Sequence, residues 1–401
     1  MTIKQRLFLI FALLYVAYMV FPMLADTMRL PIGTINIITF SVLLLINPNA
    51  FFNRLSLWTF LYLAVLWSYS ELGKQLPSMG IGDYDSRRLM IIESANILPA
   101  FAIFQNLRFY NNTKLYKWIA ISSILLVGLS MLYIIPMAMS NDNLLRKSES
   151  RGEFHIWGIP SYALIHAYML IIPGIMYGMK QQDKIKKVLL FLSFVLVCLT
   201  IFYSYVTTTF LISISMIALG LLYHEDKNKL ILRIVGAVML VVLVYATGLF
   251  EWLLNGLVST FDGTANQNKM IEIRSMFLGQ DIEGAVFDER QSLHMNSLKA
   301  YRTNPLFGSP EVGNHSTLLD RLGGLGLVGF IPFAFMLWNQ MRSGYSFLCD
   351  KESKYYYLLS IGAVLVYMYN KGLFGGEGWL FLMVLIPSYI RTFQAVQLQQ
   401  R

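Results

Sequence analysis

The sequence predicts an all-α membrane protein of about twelve transmembrane helices, with one large loop outside the membrane. Only 14% of its 401 residues are charged, whereas a soluble domain of this length carries about 25%. Apolar runs of roughly 20 residues, the length that a helix needs to cross the hydrocarbon core, recur along the chain. Each run is predicted to be helical because lipid offers no partner to exposed backbone groups.

The apolar runs fall into two groups separated by a long polar interval. We predict membrane helices 1–9 within residues 1–250, an extracytoplasmic loop over 251–316, and membrane helices 10–12 with a cytoplasmic tail over 317–401. The predicted spans are 7–25, 31–46, 55–70, 89–105, 118–139, 160–179, 188–205, 208–223, 231–250, 317–340, 355–370 and 374–390.

The basic residues orient this array. Lys-rich joints around Lys114, Lys184, Lys227 and Lys351 fall on one side of the predicted membrane, and the positive-inside rule makes that side cytoplasmic, with both chain termini. The net charge of +9 therefore requires no nucleic acid partner. Of the two cysteines, Cys198 lies within an apolar run and Cys349 in a predicted cytoplasmic loop. This placement argues against a disulfide, and two cysteines offer no Cys-based metal site.

The basic residues predicted on the outer side are mostly arginines, and the positive-inside rule does not account for them. Arginine grips phosphate or carboxylate with a planar fork, which lysine cannot do. We therefore predict an anionic substrate outside the membrane. The arginines considered for its binding are Arg87, Arg88, Arg151, Arg290 and Arg302.

The longest polar interval, residues 288–329, concentrates the features that point to chemistry. Asp288 is predicted to cap a short amphipathic helix that carries Arg290 and ends at Asn304-Pro305. His315 opens the tenth span, whose N-terminus points outward and favours anions and a neutral imidazole. Residues able to cap that helix and glycines that allow close helix packing follow the predicted turn; they are Asn314, Ser316, Thr317, Gly323, Gly324, Gly326 and Gly329.

Within this interval a family resemblance becomes specific. His315-Ser316 is followed by nine residues, Gly326, two residues and Gly329, and it is preceded by Arg290 and the segment 304–308, NPLFG. This arrangement resembles the region shared by the bacterial O-antigen polymerase and O-antigen ligase superfamily. The close similarity covers residues 290–329; elsewhere it is one of hydropathy alone.

The resemblance implies a metal-independent, inverting glycosyltransferase without a cofactor, with a membrane architecture similar to that of GT-C enzymes. It places the protein in the bacterial inner membrane, with an extracytoplasmic site that takes glycan from undecaprenyl pyrophosphate. His315 is then the general base, Arg290 and Arg151 bind the pyrophosphate, and a chain-length regulator is a possible further partner. The family's Ser-Arg-Gly-like motif is replaced here by SYVTTTFLI at 204–212. Either Arg87, Arg88, Arg151 or Arg302 replaces the missing arginine, or the pyrophosphate is held differently. Asn314 is a further residue expected to bind substrate.

Two alternative functions stay open at this point. A ligase would transfer the finished glycan to a lipid A core in lipopolysaccharide synthesis, whereas a polymerase extends one lipid-linked repeat unit with another. The outer-loop arginines and the absent Ser-Arg-Gly motif favour the polymerase. A flippase or transporter for the same lipid should show duplicated halves, which this sequence lacks.

Several of these residues also have purely structural interpretations. His315 can cap a helix, Arg290 can pair with neighbouring acids or lipid headgroups, and His294 is expected to be structural. Asp83-Tyr84-Asp85 is more simply a salt-bridged loop than a metal site. Two carboxylates near apolar runs, Glu93 and Glu377, remain candidates because an intramembrane charge is costly.

Overall fold

The structure is a computed structural model that describes most of the chain. The described residues are 1–28, 31–76, 85–140, 144–147, 157–182, 184–204, 206–263, 267–277, 286–371 and 374–400. The predicted substrate residue Arg151 and the Asp83-Tyr84 pair lie outside them.

Within these ranges the regular structure is entirely helical, as predicted. The helices are α1 (Ile3–Val20), α2 (Pro22–Met28), α3 (Ile32–Ile46), α4 (Arg54–Glu71), α5 (Ser86–Tyr110), α6 (Thr113–Ser140), α7 (Leu144–Lys147), α8 (Tyr162–Met169), α9 (Ile172–Gln181), α10 (Lys184–Tyr203), α11 (Thr207–Leu222), α12 (Lys227–Ala246), α13 (Leu249–Thr260), α14 (Gln267–Phe277), α15 (Val286–Thr303), α16 (Thr317–Ser346), α17 (Lys351–Asn370), α18 (Gly376–Leu380) and α19 (Ile386–Gln400). A 3₁₀ turn precedes α4, and a π-helical turn joins α18 to α19.

Seven helical segments of the described chain are long and apolar enough to cross a membrane. They are Ile3–Val20, Ser86–Tyr110, Thr113–Ser140, Tyr162–Gln181, Ile185–Tyr203, Lys227–Ala246 and Thr317–Ser346. The protein is therefore an all-helical chain with the character of a polytopic membrane protein.

Each of the twelve predicted spans overlaps a helix, but five of those helical segments differ from a single long apolar span. The second predicted span corresponds to α3, which is bent against α2. α11 is apolar but has only 16 residues, fewer than the roughly 20 that span hydrocarbon. α4 and α17 are mixed in polarity, and the last predicted span is interrupted by the π turn.

The predicted outer interval 251–316 contains helices α13, α14 and α15. The amphipathic helix is confirmed and ends at Thr303, directly before Asn304-Pro305. Its predicted N-cap is wrong, because α15 already begins at Val286 and Asp288 lies in its first turn. The apolar pair Val286-Phe287 extends the helix upstream of the acidic residue that was expected to start it.

A buried ion pair connects α16 to α4 and α5. The side chains of Arg321 and Glu93 are each 1% exposed and in direct contact. The Arg321 Nε donates to the Tyr62 hydroxyl at 3.0 Å, and that hydroxyl donates to Glu93 Oε1 at 3.2 Å. The Arg321 guanidinium also lies 4.8 Å from the centre of the Phe333 ring. Glu93 thus has a structural partner, and the pair fixes the N-terminal part of α16 in the helix bundle.

Replacing Glu93 by Gln should destabilise the fold, because it leaves the Arg321 guanidinium without its counter-charge in a buried site. We expect the free energy of unfolding to fall by about 3–5 kcal/mol, measured by titrating the protein in mild detergent with SDS. The matched control is the double variant Glu93→Leu/Arg321→Met, which removes both charges and should recover much of the loss. A Glu93→Gln variant as stable as the parent would contradict this role.

Candidate functional site

The corner between α15 and α16 is held by a buried carboxylate. Asp320 accepts hydrogen bonds from the Ser316 backbone N–H at 2.9 Å and from the Ser297 hydroxyl at 2.6 Å. The Ser297 oxygen in turn accepts from the Gly313 backbone N–H at 3.0 Å. Because Ser297 belongs to α15 and Asp320 to α16, these bonds fix the segment that carries His315 between the two helices.

A break in α16 is closed by the NPLFG turn. Gly326 has φ 61° and ψ −168°, which interrupts the helix. The next two backbone N–H groups donate to the carbonyls of Pro305 and Leu306, at 2.9 and 3.0 Å. On the other side of the break, the Tyr69 hydroxyl donates to the Leu325 carbonyl at 3.1 Å. The backbone groups that the break would otherwise leave without partners are therefore satisfied.

The glycines of the motif allow two backbones to meet at this break. A Cβ atom on Gly326 would lie 2.5 Å from the Gly308 nitrogen and 2.5 Å from the Leu306 carbonyl carbon. A Cβ on Gly308 would meet the backbone of Gly324, and one on Gly323 would meet the Ser297 carbonyl oxygen. The predicted close approach at the glycines is confirmed for these positions.

His315 lies directly before the first turn of α16. Ser316 is the N-cap, and its hydroxyl accepts from the Leu319 N–H at 3.2 Å. Thr317 ties this turn to the end of α17, since its N–H and hydroxyl both donate to the Lys371 carbonyl, at 2.8 and 2.6 Å. Asn314 is exposed and has a left-handed backbone, φ 54°. His315 itself is half-buried at the positive end of the helix dipole.

A second histidine, His294, lies beside His315. The two ring centroids are 6.5 Å apart, and the His294 ring is 5.0 Å from the Tyr369 ring of α17. Arg290 precedes His294 by one helical turn, so the two residues share a face of α15. Burial lowers the pKa of His294; the Asp320 carboxylate opposes this shift and the Arg290 guanidinium adds to it. The pKa of His294 is thus lowered mainly by burial, and the Arg290 guanidinium interacts electrostatically with its ring.

Arg290 also lies on the wall of a groove of about 520 Å³ between α11 and α17. The Tyr355 and Tyr356 hydroxyls donate to the carbonyls of Leu219 and Gly220, so the two helices run antiparallel. The start of α11 and the end of α17 therefore share one end of the groove, where polar residues collect, and apolar side chains form the rest. The lining residues are Thr207, Thr208, Leu211, Ile212, Ser215, Met216, Leu219, Glu272, Arg290, Leu358, Leu359, Gly362, Ala363, Val366 and Asn370.

The structure brings together only some of the predicted site residues. Arg290 and His315 belong to one corner, connected through His294. Arg302 is exposed and lies twelve residues further along α15, about 18 Å at the rise of an α-helix. Arg87 is exposed and pairs with Glu71 at 3.2 Å, and Arg88 is exposed in the first turn of α5.

Sequence reasoning missed several groups at this corner. Glu272, nearly buried in α14, lines the groove with Arg290, and Asn370 lines it from α17. Neither carries a motif, and only the packing of α14 and α17 brings them there. His294, expected to be structural, packs on Tyr369, and its ring centroid lies 6.5 Å from that of His315. Glu377 lies elsewhere, where it accepts from the Ser161 hydroxyl at 3.0 Å.

Comparison with known proteins gives no match, either to a protein-family model or to a curated protein sequence. The functional interpretation therefore depends on residues 290–329 and on the geometry around them.

Gly326→Ala should disrupt the α15–α16 corner. A backbone with positive φ and extended ψ costs an L-residue about 1–3 kcal/mol, and the added Cβ also meets the NPLFG backbone. We expect the free energy of unfolding to fall by at least about 2 kcal/mol, again measured by SDS titration. Gly236→Ala in α12, where a Cβ meets nothing within 4 Å, is the matched control and should keep or raise stability. Equal effects of the two substitutions would refute the close approach.

Arg290→Gln should raise the pKa of His294, because it removes a positive charge that disfavours the imidazolium. Asp320→Asn should lower it by removing the opposing carboxylate. Both shifts are measurable by NMR titration of ¹⁵N-labelled histidine rings, with the His294 signal assigned by its loss in His294→Gln. Arg302→Gln, at the far end of α15, is the control and should leave the pKa unchanged. A shift as large in the control would contradict the placement of Arg290.

Proposed function

We propose that the protein is a membrane glycosyltransferase that polymerises lipid-linked polysaccharide repeat units, as in O-antigen or capsule synthesis. The observation that carries the proposal is the position of Arg290. It lines the polar end of an apolar groove and shares a helix face with His294, whose ring lies beside that of His315. One corner thus offers a guanidinium for a phosphate, imidazoles for a proton and an apolar groove for a lipid.

The groove supports an isoprenoid lipid as the carrier of the donor. Its wall on α11 extends from Thr207 to Leu219, about 18 Å at the rise of an α-helix. That length is more than half of a hydrocarbon core of about 30 Å. Leu211, Leu358 and Val366 in its walls are exposed, so the groove is open along its side. An undecaprenyl chain would lie along these side chains, with its pyrophosphate at the Arg290 end.

The proposed reaction follows from that placement. An acceptor sugar hydroxyl bonds to the anomeric carbon of the donor glycan as the bond from that carbon to the pyrophosphate oxygen breaks. The bond electrons leave with the undecaprenyl pyrophosphate, and the hydroxyl proton passes to the ring of His315. Arg290 stabilises the charge that develops on the leaving oxygens, since a forked guanidinium makes two charge-assisted hydrogen bonds. The α16 N-terminus favours the neutral imidazole that must accept the proton.

The remaining residues take supporting roles in this proposal. Asn314, exposed beside His315, would hydrogen-bond a sugar hydroxyl. Arg87 and Arg88, at the start of α5, and Arg151 are the proposed sources of a second arginine on the pyrophosphate, whereas Arg302 would act further from the reacting centre. The proposed location is the bacterial inner membrane with this corner extracytoplasmic, where a chain-length regulator would act on the growing polymer.

His315→Ala and Arg290→Lys should both stop chain growth. Loss of the base is expected to cost about 10²–10⁴-fold, and loss of the forked contact at least about tenfold. The assay supplies purified protein with undecaprenyl-pyrophosphate repeat units in the presence of EDTA and follows the glycan ladder on a gel. Arg6→Lys, exposed near the start of α1, is the matched control and should keep normal growth.

The acceptor decides between polymerase and ligase. Extension of one repeat unit by another supports the polymerase, whereas transfer only to an added lipid A core would replace it with the ligase. Near-normal ladders from both variants would refute the catalytic corner itself.

A further inference from the structure

A second hollow, at the opposite end of α16 from His315, is lined by three arginines. It has a volume of about 410 Å³ and lies between the start of α4, the end of α5 and the last turns of α16. Its lining residues are Asn53, Arg54, Leu55, Arg108, Asn339, Arg342, Ser343 and Ser346. The hollow shares no lining residue with the groove at Arg290.

The charges around this hollow are unbalanced. No carboxylate is among its lining residues. Across the described parts of the chain, Arg54, Arg108 and Arg342 take part in no ion pair within 4.0 Å. Three guanidinium groups around one space repel each other, and an anion between them would relieve that repulsion. The positive-inside rule accounts for basic residues at this end of the bundle, but not for their convergence on one hollow.

The wall that carries Arg54 is built by side-chain hydrogen bonds. Asn53 caps α4 by accepting from the Ser56 N–H at 3.1 Å, and its amide donates to Gln105 Oε1 of α5 at 2.9 Å. Gln105 also donates back to Asn53 and to the Ser56 hydroxyl, at 3.1 and 2.9 Å. These bonds hold the start of α4 against α5, so that Arg54 and Arg108 face the same space. Arg54 is also the first residue of α4, where the helix dipole adds positive potential.

The surroundings of the hollow point to a lipid rather than to a free ion. Large apolar side chains near its rim are exposed: Phe52 by 84%, Leu57 by 62% and Trp338 by 61%. In a membrane protein such surfaces face acyl chains. The arginines therefore lie where an apolar, lipid-facing surface ends, which is the level of phospholipid headgroups. Basic pockets between membrane helices at that level bind anionic lipid headgroups.

We propose that this arginine hollow binds the headgroup phosphate of an anionic phospholipid, in the leaflet opposite the His315 corner. The acyl chains would lie along the exposed side chains of α4 and α16. Because these two helices also carry the Tyr62–Arg321 contact, the bound lipid would stabilise the packing of the bundle. The proposal does not depend on the glycosyltransferase reaction, and its test does not use that activity.

The test is native mass spectrometry of the full-length protein released from detergent, titrated with phosphatidylglycerol. The double variant Arg54→Gln/Arg342→Gln should lose at least about tenfold in affinity, because two charge-assisted hydrogen bonds are removed. The matched control is Lys114→Gln/Lys117→Gln, which removes the same charge from exposed positions of α6 that do not line the hollow. The control should bind as the parent does.

Three outcomes would overturn the proposal. They are an equal loss in the lysine control, equal retention of phosphatidylcholine by the parent, and displacement of phosphatidylglycerol by inorganic phosphate at comparable concentration, which would identify a free-ion site. Thermal unfolding of each variant in detergent checks that it is folded. If the double variant is not, Arg342→Gln alone serves, because that side chain is exposed, and it should still weaken phosphatidylglycerol binding severalfold; unchanged binding refutes the site.

Discussion

The break in α16 at Gly326 is the constraint on which the candidate site depends. A helix interrupted within an apolar bundle exposes backbone donors and acceptors that lipid and apolar side chains cannot satisfy. Here the donors bond to Pro305 and Leu306, and the freed Leu325 carbonyl accepts from Tyr69. The NPLFG turn therefore supplies the carbonyl groups that α16 lacks at the break. The turn directly follows α15. Its bonds to α16 therefore also fix the position of the end of α15 and the face of α15 that lies towards His315.

The buried ion pair of Arg321 and Glu93, which precedes this break in α16, also fixes the position of that helix. Taking Arg321 and Glu93 out of water is expensive, and a pair of well-packed apolar residues is often as stable. The pair instead fixes the orientation of α16, because Arg321 bonds to both Glu93 and Tyr62 at the point where α4 and α5 meet. It holds the short segment of α16 that precedes Gly326 in register with α4 and α5. The Asp320 bonds to Ser316 and Ser297 then transmit that register to α15.

The sequence predicted the local backbone features around His315 better than the packing of the helices that surround them. The helix that carries Arg290, the turn that ends it and the glycine contacts of α16 are all signalled by local residue types, and the structure contains each of them. The groove could not be predicted, because its walls come from α11 and α17, whose hydrogen-bonded residues are 136 positions apart in the chain. Hydropathy also predicted that α4 and α17 are apolar membrane spans, like the others. Their polar residues include Tyr62, Tyr69 and Tyr356, which bond to neighbouring helices rather than face lipid.

The end of α17 connects the parts of the corner that no motif joins. Three consecutive residues there have different partners: Tyr369 packs against the His294 ring, Asn370 lines the groove, and the Lys371 carbonyl accepts both bonds from Thr317. A lipid lying in the groove would therefore press on the same helix end that positions the first turn of α16. His315 directly precedes that turn, so the groove wall and the imidazole are attached to the same end of α17 through three consecutive residues.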